Sequence, residues 1–393
     1  MKNHENEIIG VLQLLNAQDK NTGKPIHFSL ADQKFAESLA SQAAVALTNR
    51  QLIDQLQQLF YSFVKVINDA IDHKSPYTGG HCERVPSLAM MLAEAISETD
   101  TGPFKELTLT EKDRRELELA GLLHDCGKIT TPVHVVDKAT KLETIFDRIN
   151  LIETRAEVLK RDAKIAFLEA CLNAPANKPT LESEYQDKIG KISADLTFLR
   201  HTNTGGEFMK DEDVARVMDI AKSYTWNDAN GKQCDFLTSN EVANLTIKAG
   251  TLTNDERQII NDHVTMTISM LKSLTWPKDL TNVPEYAGGH HERMDGKGYP
   301  NGLTKDQMSV QARLLGIADI FEALTANDRP YKKTKKISES LEILGKMCLG
   351  GHIDPDLFDI FVRKQVYLRY AKEFLNPEQI DEVNLGKIPG YKP

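Results

Sequence analysis

The sequence lacks several features that would place it in a class at once. Cysteine occurs 5 times in 393 residues and never as a C-x-x-C pair, which argues against a disulfide framework or a structural zinc site. No run approaches the roughly 20 consecutive apolar residues of a membrane span, and the first residues lack the apolar stretch of a signal peptide. We therefore expect a cytoplasmic protein with no membrane partner.

An excess of positive charge is also missing. Lys and Arg total 48 against 57 Asp and Glu, for a net charge of −9, and this balance argues against binding to a nucleic acid polymer. Hydrophobic residues make up 40% and charged residues 27%, which is the composition of a globular protein that can bury a core. The length predicts two or three domains.

The N-terminal segment combines one predicted strand with one very long predicted helix. The residues from Ile8 to Asn16 are typical of a strand, and Ser29 precedes Asp32 at the spacing of a capping box. No Gly or Pro interrupts the apolar periodicity that follows, so we expect a helix of about 40 residues. An apolar stripe of this length usually pairs with a second helix, which predicts a parallel homodimer.

The segment 144–245 differs in character from its surroundings. It contains charged helical patterns at 144–173, 181–200 and 210–224. The residues before it, Asp137–Leu142, partly recur after it as Ile247–Leu252, which predicts that a helical hairpin or small bundle is inserted here. Helical patterns then resume at 255–274, 309–325 and 338–348.

Histidine and aspartate residues supply the candidate metal ligands. Five of the eleven histidines and two aspartates fall into a distinctive order: His81, His124, Asp125, His263, His290, His291 and Asp319. Asp125 follows the apolar run Ala120–Leu123, where a buried carboxylate is costly unless it is paired or bound to a metal. A ligand set rich in nitrogen suits Mn, Fe, Co, Ni or Zn rather than Mg or Ca.

Seven donors are enough for two metal ions, with Asp125 as a possible bridge between them. Two cations about 3.5–4 Å apart lower the pKa of a shared water, so that a hydroxide nucleophile exists near neutral pH. They also hold the non-bridging oxygens of a phosphodiester while charge develops on it. The pattern therefore indicates phosphodiester hydrolysis.

Taken together, the motifs resemble the HD-GYP family of HD-domain phosphohydrolases over residues 70–141 and 247–361. The resemblance rests on His124-Asp125 with Gly127-Lys128, on the run from His290-His291-Glu292 to Asp295-Gly296-x-Gly298-Tyr299-Pro300, and on Asp319 with Ala323-Leu324-Thr325 and Asp328-Arg329-Pro330-Tyr331-Lys332. It implies a mainly α fold built on an HD-domain helical bundle. It also implies hydrolysis of cyclic di-GMP to linear pGpG by a metal-bridging hydroxide, with further cleavage to GMP left open.

The same resemblance implies roles for individual residues. The seven candidates become ligands of two divalent ions, with iron or manganese favoured over nickel, cobalt or zinc, and Asp125 also takes part in catalysis. Lys128 lies near the scissile phosphate, where it stabilises charge or protonates the leaving 3′ oxygen, while Arg329 and Lys332 bind the other phosphate or a guanine. Tyr299 stacks on a base, contacts a partner protein or packs internally. Its loop is formed with Asp295, Gly296, Gly298 and Pro300.

Two departures from the family pattern affect these expectations. Some members carry a carboxylate four residues before the first ligand histidine, where it supports a third metal. Tyr77 occupies that position here, so we expect two metals. The segment 144–245 is the second departure: it could shape substrate access or dock a partner, and we favour a decoration that leaves stability unchanged.

The N-terminal residues Gly10–Asn16 and Phe28–Asn49 resemble the last strand and last helix of a GAF domain. Because the other strands of that sheet have no counterpart here, we favour a helix that dimerises and connects over a working sensor pocket. The predicted organisation is a GAF-like remnant (1–50), a connecting and dimerisation helix (51–72), an HD-GYP catalytic domain (73–370) with its helical insertion (144–245), and a C-terminal tail (371–393).

Three alternative functions remain open. Another cyclic dinucleotide, such as cyclic GMP–AMP, suits the same motifs. A non-catalytic module that senses the dinucleotide is disfavoured by the complete ligand set, and a mononucleotide phosphohydrolase of the wider HD superfamily is disfavoured by the loop Gly298-Tyr299-Pro300. A protein partner could dock at that loop or at the insertion.

Overall fold

Helices make up most of the structure, as the sequence predicts. The computed structural model describes residues 1–3, 7–74, 80–206, 208–327 and 334–392. These residues form fourteen α-helices and one two-stranded hairpin, and the chain divides into two units, 1–67 and 68–393. No helix within the described ranges combines the length and the apolarity that a membrane crossing requires.

The N-terminal unit contains most of the long helix α1 (Leu30–Lys74). Its start is the predicted capping box, because Asp32 N–H donates to Ser29 Oγ (3.1 Å) and Ser29 N–H donates to Asp32 Oδ2 (2.8 Å). The predicted strand at Ile8–Asn16 is wrong, since Ile8 forms only an isolated bridge with Lys2. A strand needs a neighbouring strand to pair with, and the described part of this unit offers none.

The second unit holds the remaining elements. In chain order they are α2 (His81–Ser97), α3 (Glu111–Leu123), α4 (Val133–Val136), α5 (Ile149–Asn173), α6 (Lys178–Asn203), α7 (Asp211–Ser223), β1 (Thr225–Asn227), β2 (Gln233–Asp235), α8 (Ser239–Leu245), α9 (Asn254–Lys272), α10 (Val283–Gly288), α11 (Val310–Thr325), α12 (Ile337–Leu349), α13 (Pro355–Arg363) and α14 (Val366–Phe374). Short 3-10 turns lie at Cys126–Thr130, Pro175–Asn177, Lys305–Gln307, Pro377–Gln379 and Leu385–Lys387.

Helices α2 and α11 form the centre of the second unit. Helix α2 packs against α3, α11 and α14, and its buried residues Val85, Leu88 and Leu92 recur at steps of three and four, which places them on one helix face. Helix α11 is buried on most of its surface. For this reason its acidic residues Asp319 and Glu322 lie in the protein interior.

The segment 144–245 has a hydrophobic core of its own. Helices α5 and α6 form a helical hairpin, and the core includes Ile152, Ala156, Ile192, Leu196, Leu199, Val217, Ile220, Phe236 and Leu245. The strands β1 and β2 pair antiparallel with Trp226 opposite Cys234. This hairpin was not predicted, because strands of three residues are too short to show an alternating pattern.

The chain before this segment and the chain after it meet at Lys141. The buried ammonium group of Lys141 donates to the carbonyl oxygens of Leu245 (3.0 Å) and Ile247 (2.8 Å). Next to it, Leu142 N–H donates to Oδ1 of Asn203 at 2.8 Å. These contacts at its base support the prediction that 144–245 is an insertion, and it remains a prediction.

Candidate metal centre

Five elements of the second unit bring the seven predicted ligands to one place. They are His81 as the first residue of α2, His124 at the C-cap of α3 with Asp125 directly after it, His263 within α9, His290 and His291 after α10, and Asp319 within α11. The ligands converge although their positions run from residue 81 to residue 319.

The carboxylate of Asp125 lies between two groups of histidines. Its Oδ2 atom is 3.3 Å from Nε2 of His81 and 3.3 Å from Nε2 of His124. Its Oδ1 atom is 3.2 Å from Nε2 of His263. One carboxylate therefore faces two different sets of imidazole nitrogens, which is the arrangement that a bridging ligand requires.

Two ligand triads flank this carboxylate. The donor atoms of His81, His124 and Asp319 lie within 4.8 Å of one another, and so do those of His263, His290 and His291. In the first triad, Oδ1 of Asp319 is 3.3 Å from Nε2 of His81 and 3.7 Å from Nε2 of His124. Each triad could hold one metal ion.

Gly127 allows the turn after Asp125 to pack directly on α9. A Cβ atom at Gly127 would lie 2.0 Å from the carbonyl oxygen of His263 and 2.6 Å from the backbone nitrogen of Thr267. The Gly127 N–H also donates to Oγ1 of Thr267 at 2.9 Å. Any side chain at this position would push Asp125 away from His263.

Backbone carbonyls orient three of the histidine rings. Nδ1 of His124 donates to the oxygen of Gly121 (2.7 Å), and Nδ1 of His290 donates to the oxygen of Ala287 (2.6 Å). His263 uses the carbonyl oxygen three residues before it in the same way. Since a carbonyl only accepts, Nδ1 carries a hydrogen in each ring, and Nε2 is the nitrogen that is left to bind a metal.

Three buried ligand atoms have no hydrogen-bond partner among the described residues. They are Oδ1 of Asp125, Nε2 of His263 and Nε2 of His290. Leaving a buried polar atom unsatisfied costs about 1–3 kcal/mol, so three such atoms facing one another are unfavourable in the protein alone. A cation between them would satisfy all three, and the residues present therefore fit a metal.

In the half of the site that contains His290 and His291, these two imidazoles are neutral. Burial lowers the pKa of His290 well below its usual value, and the charges of His291 and His124 act in the same direction. Burial also lowers the pKa of His291 to about 4. Neutral imidazole is the form that binds a metal ion, so these two residues are ready for coordination at neutral pH.

In the other half, the acidic groups determine the direction of the histidine pKa shifts. Burial alone would lower the pKa of His81, but hydrogen bonds to Asp125, Asp319 and Glu322 outweigh it and raise this pKa well above its usual value. In the same way, the charge of Asp125 overcomes burial and raises the pKa of His124 to about 9. Cations bound here would take the place of these protons.

Lys128 lies beside Asp125 in the candidate centre. Its ammonium group forms an ion pair with Oδ2 of Asp125, three residues earlier in the chain. Burial opposes the charged form of Asp125, but Lys128 and His124 hold its pKa well below the usual value. Asp125 is therefore an ionised carboxylate in the interior, balanced by neighbouring cations.

Glu322 is a residue of the centre that sequence reasoning missed. Its buried carboxylate accepts hydrogen bonds from Nδ1 of His81 and from Nε of Arg84 at 2.7 Å. Because Nδ1 of His81 is occupied in this way, Nε2 points to Asp125 and Asp319. The sequence could have indicated Glu322, because it follows Asp319 by three residues on a predicted helix and so lies on the same helix face.

The loop after His291 is held in shape by Glu292. The buried carboxylate of Glu292 accepts the N–H groups of Asn301 (2.7 Å) and Leu303 (2.8 Å). Across the loop, the ring of Tyr299 stacks on the ring of His291 with centroids 4.8 Å apart and an interplanar angle of 21°. Tyr299 therefore lies directly beside a predicted ligand.

The remaining predicted loop residues shape this segment. Asp295 accepts hydrogen bonds from the guanidinium of Arg293 (3.0 and 2.8 Å), and Gly296 N–H donates to Arg293 O at 3.0 Å. Gly298 lies so close to the backbone of residues 292–293 that a Cβ atom would be 2.4 Å from Arg293 N, and Pro300 follows Tyr299. The predicted substrate contacts Arg329 and Lys332, and the position Tyr77, lie outside the described residues.

Two family models match the segments that carry these ligands. A model described as HD domain matches residues 78–195, and a second model with the same description matches residues 238–357. The chain carries an HD domain. The predicted HD-domain membership is confirmed, and all seven predicted ligands lie within the two HD-domain matches. The GAF remnant stays a prediction.

Curated relatives with matching segments are named as cyclic dinucleotide phosphodiesterases. A 3′3′-cGAMP-specific phosphodiesterase of Vibrio cholerae is 42% identical over 81 residues, which are 21% of this chain and 19% of that protein. A cyclic di-GMP phosphodiesterase of Pseudomonas aeruginosa is 36% identical over 116 residues, 30% of this chain and 27% of that protein. One of Thermotoga maritima is 30% identical over 131 residues, 33% of this chain and 35% of that protein. The chain thus spans about a fifth to a third of the length of these relatives. Their names agree with the HD-GYP branch of HD-domain proteins.

Proposed function

We propose that this chain is a metal-dependent phosphodiesterase that hydrolyses cyclic di-GMP to linear pGpG. The observation that carries the proposal is the position of Asp125 between two ligand triads, with buried donor atoms that have no hydrogen-bond partner in the part of the chain that the structure describes. The HD-domain matches and the names of the relatives support the same reaction class.

The donor set fits two transition-metal ions, and we propose iron or manganese. One ion would be held by His81, His124 and Asp319 and the other by His263, His290 and His291, with Asp125 shared. When bound, such a pair lowers the pKa of water and neutralises charge on a phosphodiester. The many imidazole ligands favour these ions over magnesium or calcium.

The protein itself supplies orientation and a proton. Glu322 and the backbone carbonyls fix the imidazole rings, which keeps the ligand geometry in place before substrate arrives. The ammonium group of Lys128 contacts Asp125 and so lies at the edge of the proposed centre. We propose that it donates a proton to the leaving 3′ oxygen, which becomes a hydroxyl, and recovers that proton from solvent.

Substrate contacts are proposed at three positions. We propose that Tyr299, which stacks on His291, contacts a base of a bound dinucleotide. Arg329 offers a planar fork suited to a phosphate or a guanine edge, and Lys332 adds a second positive charge. Cyclic di-GMP carries two phosphates, so one phosphate at the centre leaves the other for these basic residues.

A second candidate substrate is 3′3′-cGAMP. The observation that favours it is the 42% identity with a phosphodiesterase named as specific for that dinucleotide. The two substrates share their phosphodiester chemistry and differ in one base. The ratio of kcat/KM for the two substrates, measured on the same metal-loaded protein, decides between them.

The test of the proposed function is a product assay on protein purified without oxygen. Metal content is measured first, and the protein is then incubated with cyclic di-GMP and its products are separated by chromatography. The proposal expects pGpG to accumulate, with GMP as a possible second product. Binding of the dinucleotide without turnover would favour the non-catalytic sensing module, and turnover of mononucleotides alone would favour the wider HD superfamily activity.

We also propose a homodimer formed through α1. Within the N-terminal unit, apolar residues follow one another at alternating steps of four and three: Leu52, Leu56, Leu59, Phe63 and Val66. Each is at least half exposed. This is the spacing of a coiled-coil seam, and a second copy of the helix would cover it. The GAF origin of residues 1–50, a protein partner at the loop or insertion and a cytoplasmic location remain predictions.

A further inference from the structure

The last turn of α1 contacts the two chain segments that carry His81 and Lys128. Oδ2 of Asp72 accepts the N–H of Gly80 at 3.0 Å. The ammonium group of Lys74 donates to the carbonyl oxygen of Lys128 at 3.1 Å and to that of Ile129. All of these residues belong to the second unit.

Gly80 stands at the start of the first ligand helix. It is the N-cap residue of α2, and as a glycine it has no side chain that could cap the helix. His81 follows it directly. The bond from Gly80 N–H to Asp72 therefore fixes the backbone immediately before a predicted ligand, so a change at Asp72 acts first on the position of His81.

Lys74 holds the turn that follows Asp125. This 3-10 turn, Cys126–Thr130, contains Lys128, whose carbonyl oxygen also accepts the N–H of the C-cap residue Thr131 at 3.1 Å. Lys74 adds a charged donor to this carbonyl and to that of Ile129, and a hydrogen bond from a charged group is stronger than one between neutral groups. A change at Lys74 therefore acts first on Lys128 and on its contact with Asp125.

We propose that Asp72 and Lys74 are positioning residues of the metal centre, acting through His81 and Lys128 respectively. The inference rests on the proposed function, because it concerns the same site. It assigns the two residues different effects: Asp72 controls metal binding in the triad that contains His81, and Lys74 controls the rate of the chemical step. A purely structural role would affect both quantities together or only the unfolding temperature.

Asp72→Ala tests the first half of the proposal. Titration of metal-free protein with Mn²⁺ should show affinity for one ion reduced about tenfold, the size of effect typical of residues that orient metal ligands. Asp72→Asn keeps an oxygen acceptor for Gly80 and should restore the affinity. Asp69→Ala removes the same charge from an exposed position on the same helix and should leave the titration unchanged.

Lys74→Met tests the second half. We expect kcat for cyclic di-GMP to fall about tenfold while the metal content stays equal to that of the unchanged protein. Lys74→Arg keeps a charged donor and should recover most of the rate. Lys34→Met removes a lysine from an exposed position of α1 and should have no effect.

Two results would overturn the inference. One is Mn²⁺ affinity in Asp72→Ala equal to that in Asp69→Ala, and the other is kcat in Lys74→Met equal to that in Lys34→Met. Thermal unfolding of each variant identifies any that fail to fold, and Asp72→Asn and Lys74→Arg then provide the comparison. Failure of the proposed function has a different signature, since the unchanged protein would then bind Mn²⁺ without hydrolysing cyclic di-GMP. The Asp72 titration still gives a result in that case.

Discussion

Asp125 and His263 face each other in the candidate metal centre, with Oδ1 of Asp125 3.2 Å from Nε2 of His263, and neither atom has a hydrogen-bond partner among the residues that the structure describes. The other oxygen of the same carboxylate lies 3.3 Å from His81 and His124. A carboxylate with one oxygen toward each ligand triad is positioned to be shared by two ions.

Asp125→Asn is expected to abolish turnover and to lower the metal content. An amide keeps the size of the side chain but loses the charge that lets both oxygens bind cations. His124→Ala should have the same effect, and the fold should survive in both. Metal analysis and the product assay check this, with Asp262→Asn as a control because Asp262 lies exposed on α9. Normal activity in either ligand variant would defeat the site assignment.

Lys128→Met is expected to lower kcat about 100-fold, the lower end of what proton transfer by a side chain contributes. Metal content should stay the same, because Lys128 contacts Asp125 but is not a predicted ligand. Steady-state kinetics and metal analysis on the same preparation measure both quantities. An unchanged kcat would remove Lys128 from the mechanism.

Removing the metals is expected to lower the unfolding temperature by several degrees. The ligands come from five elements, and an ion at about 100 times its Kd stabilises a folded state by about 2.7 kcal/mol. Differential scanning calorimetry of chelated protein, with and without added Mn²⁺, measures the shift. Identical unfolding temperatures would mean that the ligands do not act together on a cation.

Deleting residues 144–245 and joining the ends with a short flexible linker is expected to leave hydrolysis measurable. The segment has its own hydrophobic core, and the ion pair between Lys138 and Glu256 (2.8 Å) at the start of α9 is retained. The product assay on the folded deletion variant checks this. Complete loss of activity in a folded variant would show that the segment helps to build the site.

Leu56→Asp is expected to convert the proposed dimer into a monomer. It places a charge in the middle of the apolar stripe on α1, where a second helix would have to bury it. Sedimentation equilibrium measures the mass. Gln57→Asp introduces the same charge on the neighbouring exposed residue and should leave the dimer intact. A monomeric unchanged protein would contradict the dimer proposal.

The helices of this protein could be predicted closely from periodicity and end signals. The predicted helix 309–325 is observed as Val310–Thr325, and the capping box of Ser29 and Asp32 does begin α1. Short strands and isolated strands could not be predicted in the same way. The pattern at Ile8–Asn16 is that of a strand, but pairing depends on a neighbouring strand that no local pattern reveals.

The convergence of the ligands could not follow from periodicity, because residues such as His81 and Asp319 are far apart in the chain. Family resemblance supplied the set, and the structure brings its members together. The role of Glu322 could have been predicted, because helical spacing places it on the same face as Asp319. The role of Lys74 could not, because its bonds to the carbonyls of Lys128 and Ile129 depend on tertiary packing alone.

The most direct measurement of the central claim is anomalous diffraction from crystals of metal-loaded protein, collected at the absorption edge of the bound metal. The account predicts two peaks about 3.5–4 Å apart, one next to His81, His124 and Asp319 and the other next to His263, His290 and His291, with Asp125 between them. A fully loaded crystal with no peak at these side chains, or with a single peak that Asp125 does not contact, would contradict it.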